Sequence, residues 1–249
     1  AGQGEASWIA DGIRFAADNG ADVINMSLGG PSISQTILDA LIYAHGKGVV
    51  IVAAAGNANS GSVYYPAAHD QYVIAVGATR YDEARAPYSN YGSALDFVAP
   101  GGDATVDQNG DGYFDGIPQV TFDQSNPAIF AIHFYQGTSM ATPHVAALAA
   151  MIIGKGIAAG PTAVENVLTA TSDNLGAAGW DQYFGNGIIN AGRALGQPAT
   201  DTPPTAALTA PANGVTVNGT VTISATASDD NGVTKVDFKI NGSTVGTDT

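Results

Sequence analysis

The chain reads as an α/β protein built on a parallel sheet, followed by the start of an all-β module of immunoglobulin-like sandwich type. Three observations carry this. Four short apolar runs, DVINMSL (22–28), VVIVAAA (49–55), YVIAVGA (72–78) and ALDFVAP (94–100), have the length and composition of buried strands. Segments with helical spacing of apolar residues lie among them, so strand, crossover helix and strand alternate as in a parallel sheet covered on both faces. After Gln197 the texture changes to the alternation of GTVTISATASDD and VTKVDFKINGSTVG, which suits strands with one solvated face.

Each element has its own justification. Residues 6–19 place Trp8, Ile9, Ile13, Phe15 and Ala16 at helical spacing, and Gly20 supplies a C-terminal cap. A second helix is expected from Ile33 to about His45, and further helices at about 139–154 and 162–170. The domains expected are 1–197, a Pro/Thr-rich linker at 198–204, and a module at 205–249 whose Asn241-Gly242 signals a hairpin. About three strands fit in that module, whereas a sandwich takes ~7 strands and ~100 residues, so the module is expected to be truncated at Thr249.

Composition narrows the function classes. The 249 residues carry 22 Asp+Glu against 8 Lys+Arg, a net charge of −14, which argues against nucleic acid and anionic membrane surfaces as partners. No cysteine is present, which removes disulfides, thiolate metal sites and cysteine nucleophiles. No apolar run reaches the ~20 residues of a membrane helix. A monomer is expected.

Three motifs carry chemistry. Gly137-Thr138-Ser139-Met140-Ala141-Thr142-Pro143-His144 runs into the apolar helix VAALAAMII, with Pro143 expected in the first turn. Ser139 then sits near a helix N-terminus, where free amides and the dipole favour an oxyanion; alternatively Thr138 or Ser139 simply caps the helix. Ala54-Ala55-Gly56-Asn57 follows a buried strand, where α/β folds place ligand sites, and Asn57 is either an oxyanion donor or part of an Asx turn. Ser27-Leu28-Gly29-Gly30, at another strand end, lets a peptide backbone approach and pair.

Together with YSNYGSALDFVAPGG and GNGIINAGRAL, these motifs resemble the subtilisin-like serine proteases over about Ala1 to Leu195. The resemblance implies a three-layer subtilisin-like fold, here partial, with Ser139 as nucleophile and Asn57 as oxyanion-hole donor. It implies that Ser27, Leu28 and Gly29 line the substrate cleft, that Ala54, Ala55 and Gly56 wall the specificity pocket, and that Tyr64 stands at the pocket floor and narrows it. The substrate implied is a protein or peptide. The Asp-Ser/Thr-Gly and His-Gly-Thr signatures that supply the family's Asp and His are missing, and belong upstream of residue 1. Asp18 and His45 come in the right order but end helices, and His144 is expected to be structural. The chain is expected to be an internal fragment of an endopeptidase, inactive by itself, with an inactive peptide-binding scaffold as the alternative.

One further loop stands out. Asp107, Asn109, Asp111, Tyr113 (through its carbonyl) and Asp115 have the spacing of an EF-hand-type calcium loop, although Pro118 stands where a bidentate Glu belongs. Calcium is the cofactor expected there.

Overall fold

The computed structural model describes residues 4–123, 126–196, 205–228, 233 and 235–248. The chain divides into two compact units, Ala1–Leu195 and Gly196–Thr249. In the first, four strands form a wholly parallel sheet in the order β1 (Val23–Met26), β2 (Val50–Ala54), β3 (Ile74–Thr79), β4 (Phe97–Pro100). Every residue of β2 and β3 is buried. Their side chains alternate between two cores. Ile51, Ala53 and Ala75 pack with helices α1 (Ala6–Asp18) and α2 (Gln35–Gly46). Val50, Val52 and Val76 pack with α3 (Thr138–Gly154) and α4 (Pro161–Thr171). Helix–sheet–helix layering thus follows from strands that are apolar on both faces.

The helices form where apolar spacing and caps coincide. α1 buries Ala10, Ile13 and Ala17 and leaves Trp8 and Phe15 exposed, and the Ser34 hydroxyl accepts a long bond from the Ile37 amide at the start of α2. α3 begins at Thr138, so Pro143 is its sixth residue and not in its first turn. Its missing N–H therefore removes the donor that would have met the Ser139 carbonyl. A fifth, short helix, α5, spans Ala191–Ala194.

One element was not expected. β5 (Ile117–Asp123) and β6 (Asn126–Tyr135) form an antiparallel two-stranded sheet immediately before α3. The second unit holds four described strands in two antiparallel pairs, β7 (Thr205–Ala210) with β8 (Ser224–Ser228) and β9 (Val236–Ile240) with β10 (Ser243–Asp248). Asn241 and Gly242 join the second pair with φ of 49° and 83°, as a two-residue hairpin turn requires. The expected linker at 198–204 lies outside the described residues. Among the described residues no helix is long and apolar enough to cross a membrane.

Below the sheet's carboxyl end, Asp96 accepts a 2.7 Å hydrogen bond from the Ala75 amide. Burial pushes its carboxyl up to about 8, overcoming that bond, and the nearby Glu165 and Asp70 carboxylates add to the rise. A raised carboxyl is protonated in the folded protein well above the unfolded value of ~4, so its contribution is complete below about pH 4 and is lost as pH rises towards 8. Stability is therefore expected to fall across that window by up to ~1.4 kcal/mol per pH unit. Asp96→Asn keeps an acceptor for Ala75 and should flatten the dependence, which melting temperatures at pH 5 and pH 8 will measure.

Candidate active site

The carboxyl ends of β1 and β2 and the first turn of α3 border a cleft of about 940 Å³. This is the edge at which open parallel sheets place their ligands. Ser27, Leu28 and Gly29 follow β1, Gly56 and Asn57 follow β2, and Ser139 is the second residue of α3; all six line the cleft, as do Ala54 and Tyr64.

The nucleophile candidate is held from both sides in sequence. Gly137 enters α3 with φ 146° and ψ 160°, a conformation open essentially to glycine alone. Its amide donates to the Gly101 carbonyl at 3.0 Å. The neighbouring Gly102 carbonyl accepts from the Tyr88 hydroxyl at 2.7 Å, and burial pushes that phenol up so that it stays a donor. The Ser139 carbonyl, orphaned by Pro143, accepts from the Ser27 hydroxyl at 2.8 Å. In return the Ser139 hydroxyl donates to the Ser27 carbonyl at 3.3 Å. The two serines thus tie the end of β1 to the start of α3.

Asn57 is oriented by Thr138. Its Oδ1 accepts from the Thr138 amide at 2.8 Å and from the Thr138 hydroxyl at 2.9 Å. A backbone N–H can only donate, so the amide oxygen must face Thr138 and Nδ2 must face away. Among the described residues neither Asn57 Nδ2 nor the Ser139 amide has a partner, and both residues line the cleft at a helix N-terminus. The Thr138 hydroxyl also accepts from the Gly56 amide at 3.2 Å. The sequence offered Thr138 only as an alternative helix cap; the N-cap is Gly137, with no side-chain cap bond, and Thr138 instead orients Asn57. Asn90, also missed, pins the same loop by accepting from Ala58 and Ser60 and donating to the Ala55 carbonyl.

The flanking walls are narrow. Gly30 and Tyr65 exchange two 2.9 Å backbone bonds, and a Cβ on Gly29 would lie 2.7 Å from the Tyr65 carbonyl oxygen, so only glycine fits there. Tyr64 lays its ring against Gly56, whose Cβ would stand 2.8 Å from Cδ2 of that ring. Ala55 does not line the cleft. It is wholly buried and faces the α1/α2 core, because alternation along the strand turns it away from the side shown by Ala54.

No imidazole or carboxylate hydrogen-bonds Ser139 among the described residues. Asp18 accepts from Tyr43 and Lys47, and these bonds hold its carboxyl below the usual range. His45 packs edge-on to Tyr72, and His144 Nδ1 lies 2.8 Å from the Met140 carbonyl. His69 lines the cleft but rests against Tyr65, and burial pushes its imidazole down, keeping it neutral at pH 7.

The 107–115 loop is ordered by its own amides. Asp107 accepts from Gly110 and Gly112, Asn109 from Asp111, Asp111 from Tyr113, and Asp115 from Gln108. Among the described residues no three His, Cys, Asp or Glu side chains gather closely enough to hold a metal ion.

Residues 1–187 match the model of the subtilase family, and residues 204–249 match that of a bacterial Ig domain. The chain is 41% identical over 193 residues to Subtilisin DY of Bacillus licheniformis, covering 76% of this chain and 62% of that one. It is 39% identical over 194 residues to a thermophilic serine proteinase of Bacillus sp. (strain AK1), covering 78% and 42%. A solved protease of Pseudoalteromonas arctica PAMC 21717 superposes with a TM-score of 0.67 at 38% identity, covering 77% of this chain and 58% of that one. The chain therefore spans about 62% of the length of its curated relative Subtilisin DY. It belongs to the subtilase family of serine peptidases, with a bacterial Ig domain after the subtilase region.

Proposed function

We propose that this chain carries the nucleophile and the oxyanion hole of an extracellular, monomeric serine endopeptidase, whose catalytic Asp and His come from a segment upstream of residue 1. The observation that carries the reading is the pair of donors without a partner among the described residues, Asn57 Nδ2 and the Ser139 amide, on residues that line one cleft with the Ser139 hydroxyl. In the reaction Ser139 Oγ attacks a peptide carbonyl, a base takes its proton, and charge develops on the carbonyl oxygen between those two donors. The acyl-enzyme then forms as the amine leaves, and water releases it. A further support is β1, an edge strand of a wholly parallel sheet. Such sheets bury their strands, so an additional strand fits beside β1, next to Ser27 and Ser139.

A second reading is an inactive peptide-binding scaffold. It is favoured by the bond from the Ser139 hydroxyl to the Ser27 carbonyl, which points the proton at a group that cannot accept it as a base. Fluorophosphonate labelling separates the two. With a segment supplying Asp and His joined ahead of residue 1, the wild-type chain is expected to label, Ser139→Ala to stay unlabelled, and Asn57→Ala to label at least ~10-fold more slowly. A joined protein that folds and does not label leaves the scaffold reading.

Substrate preference follows from Tyr64. Its ring against Gly56 shortens the pocket, which should admit small side chains next to the scissile bond. Cleavage after Ala is expected to exceed cleavage after Phe by at least ~10-fold, and Tyr64→Gly should reverse the order. Equal rates in the wild type would remove the idea.

Calcium at the 107–115 loop rests on sequence spacing alone, since its carboxylates are engaged with loop amides, and no step above uses the ion. A melting temperature that rises in millimolar calcium, and no longer does so in Asp107→Asn, would support it; an unchanged value in the wild type would end it.

A further inference from the structure

The β5–β6 hairpin is amphipathic, with its apolar side outward. The cross-strand pairs Pro118–Phe134, Val120–Ile132 and Phe122–Phe130 share one face. All six residues are exposed, Val120, Phe130 and Ile132 by 76%, 68% and 65%. The opposite face carries Gln119, Thr121 and His133, which are half-buried, and His133 Nε2 is buried without a partner. A two-stranded sheet is marginal by itself, and a contiguous apolar face of this kind marks a surface that something covers.

Charge and position say what covers it. Between Arg85 and Lys155 the sequence has six aspartates and no Lys, Arg or Glu. Exposed Asp111 stands at the edge of this face: it lines a pocket together with Phe134, and Tyr113 from the same loop stacks on Phe134 at 6.3 Å. Two copies pressed face to face would bring these acidic loops together, which disfavours a second chain. An apolar segment bearing Lys or Arg is complementary. β6 ends at Tyr135, four residues before Ser139, so the hairpin leads along the chain into the start of α3, and its ten residues span ~33 Å.

We propose that the outward face of the β5–β6 hairpin is an exosite that holds an extended, apolar and basic segment of the polypeptide substrate, at a distance from the bond that Ser139 attacks. The identity of the occupant rests on the reading of the cleft as a peptide site. Binding at the exosite needs no catalytic Asp or His, so the chain itself serves for the test.

The test is an NMR titration of the isotope-labelled chain with a peptide of about 20 residues alternating Val and Lys, long enough at ~3.3 Å per residue to span both regions. Amides of 119–122 and 128–134 and those of Gly29, Asn57 and Ser139 are expected to shift together, with binding weakened by salt. Val120→Thr with Ile132→Thr keeps β-branched side chains, so the hairpin should fold, as circular dichroism and the remaining amide spectrum will report. That variant is expected to bind at least ~10-fold more weakly, losing the hairpin shifts and keeping the cleft shifts. The same peptide with Glu in place of Lys should not bind. Unmoved hairpin amides, unchanged affinity in the double variant, or equal binding of the Glu peptide would each overturn the exosite. Hairpin shifts with a still cleft would overturn the cleft reading and, with it, the substrate as occupant. Sedimentation showing a dimer abolished by the double variant would assign the face to a second copy and overturn the proposal.

Discussion

Burial of β2 on both faces is the constraint from which the site follows. Val50 and Val52 belong to one core and Ile51 and Ala53 to the other, so helices must cover the sheet above and below. Only the strand ends remain open. The first residues that can reach a ligand after β2 are therefore Gly56 and Asn57, and after β1 they are Ser27 to Gly29. α3 packs across the same sheet and aims its N-terminus at that edge, which brings Ser139 to the place where Asn57 ends up. A core requirement thus sets a chemical one.

The local geometry is then locked by two exchanges between residues distant in sequence. Proline at 143 removes one helical hydrogen bond, and the Ser27 hydroxyl supplies the lost donor to the Ser139 carbonyl. Thr138 offers its amide and hydroxyl to a single oxygen of Asn57, which leaves the asparagine one orientation. Each exchange satisfies a polar group that the fold would otherwise strand, and each also aims a functional group. Buried polar satisfaction and preorganisation are here the same bonds.

Much of this was legible in the sequence. The four parallel strands and the four long helices lie within a few residues of where apolar periodicity placed them, because burial on both faces writes itself as unbroken apolar runs. The asparagine–threonine link was not legible, since its partners are 81 residues apart and neither type is unusual locally. Ala55 was misplaced because small residues in AAAGN carry no sign of which face they take. The β5–β6 hairpin was missed for a different reason. The aspartate-rich approach at 107–115 has the spacing of an ion loop, and the alternation of Val120, Phe122, Phe130, Ile132 and Phe134 is broken in the sequence by the polar stretch DQSN.

The overall charge of −14 and the proposed oxyanion site are compatible because they act at different ranges. Exposed carboxylates at physiological salt are screened beyond ~8 Å. The donors at Asn57 and Ser139 act at contact distance, and the first turn of α3 adds the positive end of a 17-residue helix whose N-cap has no side chain to occupy it. A developing negative oxygen there meets fixed N–H dipoles that need no reorganisation, while the distant carboxylates are met by counterions. The same acidity disfavours phosphate-bearing partners. On the readings proposed above, it favours a polypeptide carrying Lys or Arg at the apolar face and leaves the cleft to a peptide carbonyl.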